Sequence, residues 1–146
     1  MKNITDLTTY QTVALQSRAH RAIKAQLSQF LKPYNLTMMQ WSILGLVADT
    51  GDAGIRISDL AQALDTSLAF VTTSVNVLEA KGFVARSEHA HDSRAKLVHL
   101  SKEFAPKIAA IEEDIATKQQ AKLYDGLEAT DVTAYITVLR RLTKTA

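Results

Sequence analysis

Cysteine is absent from all 146 residues, which excludes thiol redox sensing, thiolate-held metals and cysteine nucleophiles. Proline occurs twice and glycine five times. So few helix breakers, beside abundant alanine, leucine, lysine and glutamine, predict a mainly helical chain. Long apolar runs and a signal-peptide pattern are also missing, so the expectation is a cytoplasmic protein with no membrane partner. Charge is nearly balanced, at a formal net +2; this permits a polyanionic partner without requiring one, and no basic arm strengthens the case. There is no glycine-rich phosphate loop, metal-ligand spacing or nucleophile elbow, which argues against an enzyme and leaves no cofactor or metal to expect. The length suits one domain whose core needs neither disulfide nor metal.

What is present is helical periodicity. Between residues 8 and 32, Leu15, Ala19, Ile23, Leu27 and Leu31 recur at every fourth position, one apolar stripe on a long helix that Pro33 ends. Thr37 with Gln40 forms a capping box, and Leu36 and Trp41 stand where a hydrophobic staple would, so a second helix runs through Ile43, Leu44 and Val47. Gly51 and Gly54 mark the following loop. Ser58 is expected to cap a short helix holding Leu60, Ala61 and Leu64, and Asp65, Thr66 and Ser67 form a turn. The next helix places Leu68, Val71, Val75 and Leu78 on its core face, and Gly82 closes it.

Residues 83–101, FVARSEHAHDSRAKLVHLS, read as two short strands around a polar tip of Asp92, Ser93 and Arg94. Phe104, Ile108, Ile111 and Ile115 then form a further helical stripe, which requires Pro106 to lie in its first turn. A last helix carries Val132, Tyr135, Ile136, Leu139 and Leu142. The long helices at the two ends either pack back on their own domain or, the reading adopted, interlock with a second copy as a homodimer. The fold class is therefore mainly α with a small antiparallel β-wing. A winged helix-turn-helix over 36–102 is flanked by dimerisation helices in 1–35 and 103–146, in one domain spanning 1–146.

Such a layout holds one helix in a DNA major groove while the wing reaches the adjacent minor groove. With its core face turned inward, the fourth helix presents Ala69, Thr73 and Asn76, with Phe70 and Val77 on the flank. Asparagine can pair with N6 and N7 of adenine, and the apolar groups suit the thymine methyl, so an A·T-rich half-site is expected. Ser67 and Thr72 are placed for phosphate contacts. The helix itself is uncharged overall, Glu79 and Lys81 cancelling; the wing supplies cations in Arg86, Arg94 and Lys96. Arg94 is the candidate for a narrow A·T minor groove, with Asp92 holding it or the loop. Arg86 either contacts DNA or bridges to an acid near the wing. His89, His91 and His99 would gain charge on mild acidification, and His89 with His91 lacks a third convergent ligand for a metal.

Taken together these residues resemble the MarR family of winged-helix transcriptional regulators. The resemblance rests on Leu36-Thr37 with Gln40-Trp41, on Leu60-Ala61, Val71-Thr72, Leu78-Glu79 and Lys81-Gly82, and on Val84, Arg86, Asp92, Arg94, Leu100 and Ser101 in order. It departs where the family often carries arginine and this chain has Thr73, Val77 and Ser93. The resemblance implies a homodimeric repressor on a palindromic operator, released by a small phenolic or aromatic-acid effector. It also implies an effector pocket between dimerisation helices and winged helix, for which Arg18, His20, Tyr34 and Trp41 are the candidates. The competing reading is a winged-helix protein-interaction or ligand-binding module with weak DNA affinity.

Overall fold

The computed structural model describes residues 4–89 and 92–145, with the side chains of 88, 89, 92–95 and 145 outside that description. Helix α1 (Thr9–Leu31) begins with a capping box, Thr8 with Gln11, that the sequence reading passed over. A 3-10 turn at Lys32–Tyr34 contains Pro33 and leads to α2 (Met38–Asp49). There the anticipated capping box is present: Gln40 N donates to Thr37 Oγ1 at 3.1 Å and Thr37 N donates to Gln40 Oε1 at 3.1 Å. Each such box satisfies two amides that the helix geometry leaves without partners.

Strand β1 (Ile55–Arg56) precedes α3 (Ile57–Ala63) and α4 (Leu68–Ala80). Strands β2 (Val84–His89) and β3 (Asp92–Leu100) follow, then a 3-10 turn at Ala105–Lys107 holding Pro106, α5 (Ile108–Lys122) and α6 (Ala129–Thr145). The expected two-stranded ribbon is a three-stranded antiparallel sheet in the order β1-β3-β2, Ile55 pairing with Val98 and Arg86 with Val98 from the other side.

Two further details differ from the sequence reading. The N-cap of α3 is Arg56, not Ser58, and makes no side-chain capping bond; pairing of β1 with β3 fixes the helix start instead. Leu68 is 55% exposed rather than buried, because it is the first residue of α4 and its side chain clears the core. Gly82 is the left-handed residue after α4, at φ +80°, and lets the chain turn into β2.

One core joins these elements. Ile43, Leu44 and Val47 of α2, Leu60 of α3, Val71, Val75 and Leu78 of α4 and Val98 of β3 are fully buried. Phe30 and Leu31 at the end of α1, Phe104, and Ile111 and Ile115 of α5 belong to the same cluster. Burial of side chains this size stabilises the fold by roughly 1.5–3 kcal/mol each. Thus the end of α1 and much of α5 pack on their own domain. The beginning of α1 and the face of α6 do not: Tyr10, Val13 and Leu15, and Tyr135, Val138, Leu139 and Leu142, are all exposed.

Candidate nucleic-acid interface

Helix α4 is held at three places. At its start, Ser67 Oγ accepts from Phe70 N at 3.1 Å. At its end, Lys81 Nζ donates to Asn35 O at 2.6 Å and to Gln40 Oε1 at 3.4 Å, tying it to the α1–α2 junction. On its flank, Arg86 from β2 donates through Nη2 to Asn76 Oδ1 and sets Nε 3.8 Å from Glu79 Oε2. The junction after β3 is equally defined. Ser101 Oγ donates to Gly82 O at 2.7 Å and accepts from Phe104 N at 3.1 Å, while Phe83 and Phe104 stack at 4.5 Å.

The outer face of α4 is largely apolar. Ala69, Phe70, Thr73, Asn76 and Val77 are exposed, with Phe70 about half so at 49%. The threonine hydroxyls turn inward: Thr72 Oγ1 donates to Leu68 O at 2.8 Å and Thr73 Oγ1 to Ala69 O at 3.0 Å. Methyl groups are therefore what these two threonines chiefly offer outward. Beside the helix, Arg56, Arg86 and Lys96 line a concavity of about 370 Å³ together with Ser58, Leu68 and Thr72. Arg56 was missed from sequence; its only signal was the Ile55-Arg56-Ile57 alternation, too short to read as a strand. Arg94 lies on β3, but its side chain, like that of His89, is outside the described ones, and His91 lies outside the described residues altogether.

His99 sits away from this face. Its Nε2 lies 2.5 Å from Ser87 Oγ, and its ring covers Gly54 so closely that a Cβ there would come within 2.6 Å. The four ligand candidates are not brought together within the chain. Trp41 lines a cavity of about 410 Å³ between α2 and α5 with Gly45, Ala48, Asp49, Ile108, Ala109 and Glu112. Arg18 and His20 are exposed along α1 and are not among its lining residues. Tyr34 instead donates its hydroxyl to Asp114 Oδ2 at 2.5 Å, and Lys118 Nζ reaches the same oxygen at 3.0 Å. The Tyr34 hydrogen bond, then Lys118, holds the Asp114 carboxyl below its ordinary range; the same bond, chiefly, raises the Tyr34 phenol.

Comparison with known proteins places this geometry. Residues 34–95, which contain the helix-turn-helix and the start of the wing, match the MarR family. A MarR-family transcriptional regulator from Rhodococcus sp. RHA1 superposes with a TM-score of 0.84 at 18% identity, covering 97% of this chain and 99% of that one. A mutant MarR from E. coli complexed with operator DNA gives 0.78 at 21% identity, over 93% and 99%. CouR from Rhodococcus jostii RHA1 bound to p-coumaroyl-CoA gives 0.79 at 19%, over 94% and 95%. At these identities the likeness is one of fold, and it extends over 93–97% of this chain.

Proposed function

We propose that the chain, whose segment 34–95 matches the MarR family, is a member of that family and a sequence-specific DNA-binding regulator. It acts in the cytoplasm as a homodimeric repressor on a palindromic operator and is released by a small aromatic effector. The observation that carries this reading is the exposed outer face of α4, positioned at both ends and on its flank, beside a concavity lined by Arg56, Arg86 and Lys96. Ser67 and Lys96 contact phosphates, Thr72 packs its methyl beside them, Arg86 steadies Asn76, Ala69, Phe70, Thr73 and Asn76 meet base edges, and Arg94 enters the minor groove. A mutant MarR has been seen with operator DNA, and that partner is carried over as part of the proposal.

The effector occupies the cavity beside Trp41, completed by the second copy. Its acids, Asp49 and Glu112, accept hydrogen bonds and repel anions, so a phenolic hydroxyl fits better than an aromatic carboxylate. A second reading has one observation in its favour: Leu68, Phe70 and Val77 are apolar and exposed on a helix whose one charged residue is Glu79, as on a protein-docking surface.

Fluorescence anisotropy with duplex DNA separates the two. The parent binds a subset of duplexes tightly, its affinity falls as salt rises, and Arg94→Ala weakens binding. An Arg94→Ala variant that binds every duplex as well as the parent supports the docking module.

A further inference from the structure

We propose that Arg86 is a positioning residue that fixes the amide of Asn76, so that α4 offers the groove a donor and selects thymine over adenine opposite it. The inference rests on the DNA-reading function proposed above. A guanidinium carries only donors, so the atom it meets on Asn76 is the amide oxygen and the outward end is the NH₂ group. Arg86 is not a loose surface cation. Its residue is paired with Val98 in the sheet, its side chain is only 25% exposed, and its Nε is buried with no hydrogen-bond partner among the described residues. Glu79, one turn beyond Asn76 on the same helix, faces that Nε at 3.8 Å, an electrostatic contact too long for a hydrogen bond. The guanidinium is thus held from the strand side and from the helix side, and it keeps hold of an otherwise exposed Asn76.

An unrestrained asparagine pairs with adenine through both ends, accepting from N6 and donating to N7. With its oxygen turned to Arg86, Asn76 faces the groove as a donor. Thymine O4, guanine O6 and N7 and adenine N7 accept that bond, whereas the amino groups of adenine and cytosine meet it donor to donor, so adenine keeps only one of the two bonds it makes with a free asparagine. Thr73 decides among these three bases. It lies one turn before Asn76 on the same face, and its hydroxyl proton goes to Ala69 O, so its methyl is the group left to meet a base. A methyl beside an amide donor matches the C5-methyl beside O4 of thymine. The half-site remains A·T-rich, but the orientation of the pair at this position is the reverse of what a free asparagine would choose.

The test uses the full chain. A motif is selected from random duplex DNA, and affinities are measured with each of the four bases in turn at each half-site position. The parent favours thymine at one position by about tenfold over adenine, and Asn76→Ala removes that preference there. Arg86→Leu frees the amide and shifts the same position towards adenine by a similar factor. Asn76→Asp pairs one oxygen with Arg86 and presents the other as an acceptor, so preference moves to adenine or cytosine; this variant decides alone if Arg86→Leu does not fold. Adenine selected by the parent overturns the inference. So does thymine still favoured in Arg86→Leu and Asn76→Asp at a position that Asn76→Ala erases. A parent that enriches no motif overturns the DNA-reading function, and the inference with it.

Discussion

Tyr34 illustrates how a side chain can carry a different role from the one its type suggests. An aromatic hydroxyl near a helix junction invites a ligand, yet this one donates to Asp114 and ties the α1–α2 connection to α5. Because the Asp114 carboxyl is held low, its contribution to stability is present above the ordinary carboxylate range and is lost as pH falls through the lowered value. The Tyr34 phenol is raised, so its contribution is present below the ordinary tyrosine range and is lost as pH rises through the raised value. Between those limits the tie is intact. Tyr34→Phe removes the largest cause, so the Asp114 carboxyl titrates closer to its ordinary range by NMR; an unchanged titration contradicts the assignment. Gly54 is the other position where one residue decides. Its φ of +73° is a conformation side-chain-bearing residues avoid, and the His99 ring fills the space a Cβ would need. Gly54→Ala therefore lowers unfolding free energy by about 1–3 kcal/mol in denaturant titration. Neither fact was legible in the chain. Tyr34 and Asp114 are 80 residues apart, and the contact of His99 with Gly54 exists only because β1 pairs with β3.

At the scale of elements, local chemistry was readable where it was strong. Thr37 and Gln40 announce the start of α2, and the structure places both bonds as the capping box requires. Val71, Val75 and Leu78 fall on one face at helical spacing and are fully buried. Leu78→Ala is expected to cost about 2–5 kcal/mol, because the α4 core face packs against neighbours that cannot all collapse into the gap. Thr37→Ala costs about 1 kcal/mol through the lost cap. Thermal or chemical unfolding measures both, and equal effects would mean the cap does more than hold a helix end. Where the signal was short, the reading failed. The two-residue β1 has no periodicity to detect, and its absence from the sequence reading made Ser58 look like a cap and left Arg56 out of the site. Leu68 has the correct spacing for the core face but sits on the first turn, where the face does not yet meet the core. Periodicity describes a direction around a helix axis, not how far along that axis the core extends.

For the whole molecule, the sequence indicated an unmet apolar stripe at each end, and the structure divides that expectation. The end of α1 and the length of α5 join the winged-helix core, while the start of α1 and the face of α6 remain open. Among the described residues, no helix is long and apolar enough to cross a membrane. In the proposed homodimer the open faces cover one another across copies. Leu139→Asp on α6 then shifts the mass in sedimentation equilibrium towards one chain, with far-UV circular dichroism showing the winged helix still folded. That proposed dimer would also set the spacing of the two α4 helices, which is what would tie the fold to a palindrome. The most direct measurement is binding selection on random duplex DNA at two salt concentrations. The account predicts an enriched palindrome with half-sites about one helical turn apart and tighter binding at the lower salt. Recovery of no motif at either concentration would contradict it.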